Sequence, residues 1–483
     1  MIKNERQYRI TKTQVEKFEV GLALLANSQP PDEEVHPRLL KAQQDAMRYQ
    51  IKELRAQLAE YDALQAGTHS VLSLSSFDEL PQALIKARIA AGLSQKELAE
   101  RLGLKEQQIQ QYESSDYASA SVSRLGEVIA ALGLVVAEEV LLPTKQLSFT
   151  TLMRRLKELG LEQSFIVRRL LNPPAAVRLQ QGLSSSVEEQ HLTLQLVAQL
   201  KRIFGLDPAA LLNGGKLTLG LAANARFKLP ALANQKRTQA YTFYAHYLAL
   251  LTLDASSYLP PCPIPSDPLV VRTEVLAHYG DLSLASLLQY VWSLGIPVLP
   301  LKDSGAFHGA CWREGGRNVI VLKQQTASES RWSFDLLHEL CHAIEEPDAS
   351  EFAVVEGEDG KDEAALDAED AASEFAGRVL LGEKAEELAL ACSQAAGGKI
   401  ERLTRVVPDV ARKAGVDVGT LANYLAFRLT LDGKDWWGSA TNLQPKSEPW
   451  FVARDIFLAH TSLGNLNEVD RGLLRRGLDE QEG

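Results

Sequence analysis

Two histidines, at 338 and 342, enclose a glutamate at 339 in the pattern H-E-x-x-H. On a helix this spacing places both imidazoles on one face, about one turn apart, where a single metal ion can take both. Glu339 projects to the side, positioned to take the proton of an attacking water. Zinc suits such a set. Two imidazoles leave it short of a third protein ligand and with one open position. The chain has 9 histidines in 483 residues. At that frequency the pattern arises by chance on the order of 0.01 times per chain, so a metal site outweighs coincidence. Trp332, Leu336, Leu337, Leu340 and Ile344 recur with helical periodicity around the pattern. A β-branched run, Asn318–Leu322 (NVIVL), precedes it after a Gly-Gly turn.

The third ligand is less determined. A metzincin-type site would need Gly at 345 and a ligand at 348. Residue 345 is Glu and no third histidine follows, so that class is rejected although Asp348 stands at the right distance. A carboxylate on a second helix is the alternative. Glu369 opens a helical pattern, E-D-A-A-S-E-F-A-G-R-V-L-L, whose Ala372 and Ala376 allow close approach to the first helix. Glu374, five residues on, would point elsewhere. The residues alone favour Glu369 and leave Asp348 open. A tetrahedral oxyanion needs a donor besides the metal. His308, on the hairpin before the first helix, and Tyr424 and Arg428, beyond the second, are the candidates.

Residues 296–430 resemble the ImmA/IrrE family of zinc metallo-endopeptidases. The resemblance rests on L-G-I-P-V (294–298), N-V-I-V-L (318–322), R-W-S-F-D-L-L-H-E-L-C-H-A-I (331–344), E-D-A-A-S-E-F-A-G-R-V-L-L (369–381) and G-V-D-V-G-T-L-A-N-Y-L-A-F-R-L (415–429). It implies zinc held by His338, His342 and Glu369, with Glu339 as general base. Two departures stand out. Ser373 occupies a place where Asn or Asp is usual, and Leu381-Gly382 replaces Met-Pro.

A second constellation lies upstream. A-R-I-A-A-G-L-S-Q-K-E-L-A-E-R-L-G-L-K-E-Q-Q-I-Q-Q-Y-E (87–113) resembles the Xre/Cro-type helix-turn-helix family. The resemblance implies that helix 93–102 crosses the phosphate backbone and helix 105–113 enters the major groove. Gln95, at a helix N-terminus, suits a phosphate contact. Gln107, Gln108 and Gln111 could reach base edges, because Gln bonds adenine N6 and N7 together. Ile109 and Tyr112 belong to the core. Residues 78–141 carry six bases and ten acids, a poor balance for affinity that comes mostly from Lys and Arg. Lys105 also stands where Ser or Thr normally caps the recognition helix.

The elements that must position these groups are mostly helical. Val15, Phe18, Leu22 and Leu25 form one seam of coiled-coil type; Met47, Ile51, Leu54, Leu58 and Tyr61 form a second. The stretch QPPDEEVHP (29–37) separates them, because paired prolines cannot continue a helix. Four short helices follow over 79–134, with Ser94 and Glu97 spaced as a capping box. Residues 149–213 repeat that rhythm in weaker form, as a degenerate second copy. SSYLPPCPIPSDP (256–268) reads as a linker. The expected domains are a hairpin at 1–75, the helix-turn-helix at 76–142, the degenerate copy at 146–215 and a helical segment with linker at 216–268. A metallopeptidase at 269–436 and a helical tail at 437–483 complete the chain.

Composition bounds the rest. Hydrophobic residues make up 45% and charged residues 23%, which excludes a disordered or fibrous chain. No apolar run reaches the roughly 18–20 residues needed to span a bilayer, and the N-terminus has no secretory h-region. Four scattered cysteines without a C-x-x-C pair point to a reducing cytosol. The net charge is −11, unevenly spread. From 345 to 387 sixteen acids meet three bases; from 154 to 237 thirteen bases meet five acids. The acids Glu356, Glu358, Asp359 and Asp362 are expected in a mobile loop by the cleft, favouring a basic substrate segment. Arg154, Arg155, Arg168, Arg169, Lys201 and Arg202 are expected to supply phosphate contacts, the competing role being ion pairs with the acidic 345–387 segment that hold the domains together.

The expected fold is multidomain and mainly α. Helical hairpin and helix-turn-helix bundles precede an α+β, zincin-like metallopeptidase domain with a small sheet. The combined resemblance implies a cytoplasmic regulator that binds a double-stranded DNA operator as a homodimer. Its zinc endopeptidase would cleave a repressor or antitoxin in a stress, prophage or toxin–antitoxin response. A peptidase fold serving as a non-catalytic sensor or partner-binding module is the alternative.

Overall fold

A computed structural model describes residues 1–27, 37–67, 72, 74, 77–136, 148–182, 186–217, 235–303, 307–355 and 363–479. The chain divides into two compact units. One comprises Met1–Val140, Asp254–Tyr258 and Ser462–Arg471; the other comprises Leu141–Leu253, Leu259–Thr461 and Gly472–Gly483.

In the first unit, α1 (Glu5–Asn27) and α2 (Pro37–Gln65) form the hairpin. Four helices follow: α3 (Leu80–Ala90), α4 (Gln95–Leu102), α5 (Glu106–Ser114) and α6 (Val122–Leu132). The Ser94 hydroxyl accepts from Glu97 N–H at 3.1 Å, and the Glu97 carboxylate accepts from Ser94 N–H at 2.7 Å, the capping box expected at the start of α4. Gly103 ends that helix at φ 65, a conformation that costs a side-chain-bearing residue dearly. Tyr61 and Leu64 of the hairpin and Ile2 before it share one core with Leu84, Ile85, Leu98, Ile109, Leu125 and Val128. Inside that core the Arg88 guanidinium grips the Glu113 carboxylate through two bonds, at 2.6 and 2.8 Å, both side chains being buried.

The second unit opens with helices over 149–213, among them Phe149–Glu158 and the longer Ser186–Phe204. A π-helical turn at Ile166–Leu170 presents two consecutive arginines. Arg169 is fully buried; it donates to Asp303 at 2.9 Å, and also to Asp479 and the Arg476 carbonyl. Arg168 donates to the same Asp303, which accepts from the Tyr241 hydroxyl as well, at 2.8 Å. The expectation that this pair reaches DNA phosphates therefore fails for Arg169 on burial alone. Both arginines instead pair with acids of this same unit, Arg168 with Asp303 and Arg169 with Asp303 and Asp479, so the acidic 345–387 stretch expected as their alternative partner is not the one they meet.

A four-stranded sheet follows, made of β1 (Val298–Leu301), β2 (Gly309–Glu314), β3 (Arg317–Lys323) and β4 (Phe352–Val355) in the order β1-β3-β2-β4. β1 pairs with β3 in parallel, Val298 opposite Ile320. β2 pairs antiparallel with β3, Gly309 opposite Leu322, and antiparallel with β4, Ala310 opposite Val355. β4 corrects the sequence reading, which took this stretch as part of an acidic loop. Three of its four residues, Phe352, Val354 and Val355, have strong strand preference, but the acids on either side mask it. The acids 356, 358, 359 and 362 themselves lie outside the described residues, as do 29–36 of the break expected at 29–37, whose last residue, Pro37, opens α2. Against the sheet pack the ligand helix (Glu329–His342), then the carboxylate helix (Glu363–Leu381) and Val418–Leu431. Among the described residues no helix is long and apolar enough to cross a membrane.

Candidate metal centre

The ligand helix begins where the Ser328 hydroxyl accepts from Arg331 N–H at 3.1 Å. It is buried nearly all round, from Trp332 to His342. A helix so enclosed has little freedom to rotate, which fixes where its polar residues face. His338 and His342 lie one turn apart, their rings 4.8 Å between centroids and crossing at 73°. The carboxylate helix brings Glu369 against them, with Ala372 and Ala376 fully buried along its face.

Three donor atoms converge. His338 Nε2 lies 3.1 Å from His342 Nε2 and 3.1 Å from Glu369 Oε2, and His342 Nε2 lies 3.8 Å from Glu369 Oε1. Zinc bonded at about 2.05 Å in a tetrahedron keeps neighbouring ligand atoms about 3.3 Å apart. The observed separations bracket that value. Each imidazole has its other nitrogen engaged: His338 Nδ1 meets the Ser373 hydroxyl at 3.2 Å, and His342 Nδ1 meets Glu345 Oε1 at 2.6 Å. Both Nε2 atoms therefore face the Glu369 carboxylate, and the donor set of two imidazoles and one carboxylate fits a zinc ion with an open position. Among the described residues these three side chains form the one such cluster. Asp348, the open alternative for third ligand, is exposed and lies outside it.

Glu339 is buried beside β2. The approach is close because residue 309 is glycine: a Cβ there would stand 2.0 Å from Glu339 Oε1. The next β2 residue on the same face, Cys311, also feels this carboxylate. Burial pushes the Cys311 thiol well above its ordinary value, and the charge of Glu339 adds to the shift. Burial likewise pushes the Cys341 thiol up to about 12. Neither cysteine belongs to the converging cluster of His338, His342 and Glu369.

The remaining candidates are placed unevenly. His308 is exposed, immediately before Gly309, and its carbonyl accepts from Lys323 N–H at 2.8 Å. Tyr424 is fully buried, its ring against Gly377, and its hydroxyl donates to Glu386. Arg428 pairs with the same Glu386 at 3.4 Å. Those two are turned to Glu386 rather than to the histidine pair.

In the helix-turn-helix, Gln107, Gln108 and Gln111 are exposed on α5. Gln108 accepts from Lys105 N–H at 3.1 Å, the returning half of a capping box, while Lys105 gives no side-chain acceptor to the first N–H groups of the helix as a Ser or Thr would. The Gln95 amide donates to Glu113 at 2.8 Å and accepts from Asn4 at 3.5 Å, so this expected phosphate contact is engaged within the protein.

Sequence reasoning missed three residues around the centre: Gly309, Arg313 and Glu345. A glycine opening a strand and an acid three residues past the second histidine are signals present in the chain. Their partners are set only by the packing of β2 on the ligand helix.

Residues 84–136 match the family model described as Helix-turn-helix, and residues 293–425 match the one described as IrrE N-terminal-like domain. Curated proteins give no significant match, and solved structures give none either. The second match contains the sheet strands, the ligand helix and the carboxylate helix with all three converging side chains. The chain thus joins an Xre/Cro-type helix-turn-helix domain to an IrrE N-terminal-like, peptidase-family domain whose His338, His342 and Glu369 are disposed to hold a metal ion.

Proposed function

We propose that the chain is a cytoplasmic DNA-binding regulator with an attached zinc endopeptidase that cleaves a repressor or antitoxin-type protein in a stress, prophage or toxin–antitoxin response. The observation that carries the peptidase half is the convergence of His338, His342 and Glu369 with Glu339 buried beside them. Bound zinc would polarise the scissile carbonyl and lower the pKa of water at its open position. Glu339 takes the proton of the attacking water and delivers it to the departing amine. Gly309 leaves the room its carboxylate occupies. His308, exposed beside that glycine, offers an imidazole to the oxygen of the tetrahedral species. Tyr424 and Arg428, held at Glu386, act structurally.

On the DNA side, Gln107 and Gln111 stand one turn apart on the exposed face of α5 and reach base edges. The acidic balance of this region makes a single copy a weak binder, which favours a homodimer on a two-fold operator.

The test compares zinc-loaded wild type with Glu339→Gln in an extract of the source cell, profiling newly formed protein N-termini. Both proteins should carry one zinc, and new termini should form only with wild type. Equal profiles from two metal-loaded proteins would instead make the domain a non-catalytic sensor.

A further inference from the structure

We propose that Glu345 is a positioning residue that orients His342 for metal binding, held in place by Arg313. The inference rests on the reading of His338, His342 and Glu369 as ligands. Past His342 the chain leaves the helix through a tight turn, with Ile344 N–H bonding to the Cys341 carbonyl at 3.0 Å and Glu345 N–H to the His342 carbonyl at 3.1 Å. These bonds bring Glu345 back over the ring three residues earlier. Its Oε1 lies 2.6 Å from His342 Nδ1.

That contact decides which nitrogen carries the proton. A carboxylate only accepts, so Nδ1 must be the N–H, and Nε2 is left with its lone pair aimed at His338 and Glu369. The same contact makes the imidazole a better donor and removes a rotation that binding would otherwise have to freeze.

The turn is itself fastened. Arg313, buried on β2, donates to the carbonyl of Ala343 at 2.8 Å, to that of Glu345 at 3.0 Å and to that of Glu346. Its Nε donates to Asn318 on β3 at 2.7 Å. The Ala343 carbonyl caps the ligand helix at its negative pole, so a guanidinium there satisfies both charge and hydrogen bonding, and the Glu345 and Glu346 carbonyls belong to the turn beyond it. Glu346 adopts φ 44, a conformation costly for a residue with a side chain and tolerated because Arg313 fixes the carbonyls around it. The turn therefore has one geometry, and Glu345 reaches His342 from it.

The experiment measures zinc affinity of the full chain by competition with a chromophoric chelator, without reference to cleavage. Glu345→Ala should weaken binding by roughly 10–100-fold, the usual range for such partners. Glu345→Gln, which keeps an acceptor oxygen and loses the charge, should fall between Ala and wild type. That graded rescue is a readout that mere loss of folding does not produce. Asp348→Asn removes an equal charge from the same turn and should leave affinity within about twofold. Equal affinity of Glu345→Ala and wild type overturns the proposal, as does an equal loss in Asp348→Asn, which would reduce the effect to general charge. His342→Ala is the separate control: if it binds zinc as tightly as wild type, the ligand reading itself fails and takes this proposal with it.

Discussion

The close approach of Gly309 to Glu339 can be turned into a measurement. An alanine at 309 would place its Cβ 2.0 Å from Glu339 Oε1, 2.7 Å from Cδ and 2.9 Å from Cγ. Ordinary contact begins near 3.4 Å, so the carboxylate must retreat by about 1.4 Å, or β2 must lift from the ligand helix by as much. Glu339 is buried and has no solvent to swing into. β2 is hydrogen-bonded on both sides. The carboxylate is the softer of the two, so it moves. None of the three ligand side chains is among the nearest atoms to that Cβ, and zinc content should stay at one per chain.

A general base displaced by about 1 Å loses on the order of 100-fold in rate, equivalent to about 2.7 kcal/mol of barrier. Stability changes less. Overpacking costs about 1–3 kcal/mol, partly offset by the roughly 0.4–1 kcal/mol gained when a glycine of unstrained backbone becomes alanine. The assay is single-turnover cleavage of a substrate recovered by N-terminal profiling, with metal analysis and thermal unfolding alongside. We expect kcat to fall about 100-fold with KM little changed, the pattern of an interaction made only in the transition state. A Gly309→Ala protein that holds zinc and cleaves within about threefold of wild type would refute the assignment of Glu339 as base.

Two further outcomes follow from the other unit and the buried ion pairs. Glu113→Ala leaves the Arg88 guanidinium buried without its carboxylate and should cost about 3–5 kcal/mol. The loss would be read as faster hydrogen exchange at α3 and α5 amides, and Arg88→Met with Glu113→Leu should recover much of it. Gln107→Ala should relax preference at one base position, while Arg168→Ala should leave the slope of log K against log salt unchanged, because Asp303 already holds that guanidinium. A flatter slope for Arg168→Ala would return it to the phosphate-binding role.

What could be read from the sequence was what the local chain decides. The i, i+4 histidines and the Ser94–Glu97 box act within one or two helical turns, and both stand where their spacing placed them. Glu369 was legible too, by a different route: small residues at 372 and 376 indicated close helix packing. The reading weakened wherever a side chain had two possible partners of the right chemistry. Gln95 could meet a phosphate or Glu113, and the structure gives it Glu113. Arg169 could meet a phosphate or an aspartate, and it is buried on aspartates. Tyr424 could donate to an oxyanion or to Glu386, and it faces Glu386. Charge totals could not separate these cases, because each depends on which distant segment packs alongside. β4 was hidden for a related reason, its three strand-forming residues, Phe352, Val354 and Val355, being outnumbered by the acids around them.

The three residues missed at the centre share a single cause. In a strand, residues two apart face the same way, so Gly309, Cys311 and Arg313 form one row along β2. That row lies against the ligand helix. Its first member meets Glu339, its second feels the same carboxylate, and its third binds the carbonyls of Ala343, Glu345 and Glu346. The strand therefore sets the base at one end and the orientation of a metal ligand at the other. Sliding β2 by one residue would turn the whole row to the opposite face, placing Trp312 and Ala310 against the helix and crowding Glu339 while releasing the turn that carries Glu345. The register of β2 on β3 and β4 is thus a condition of the site, as much as the H-E-x-x-H spacing is. It follows that a change that shifts the register of β2 should affect base and ligand together, whereas a local change at Gly309 reaches the base alone and substitutions in the carboxylate helix reach the ligand set alone.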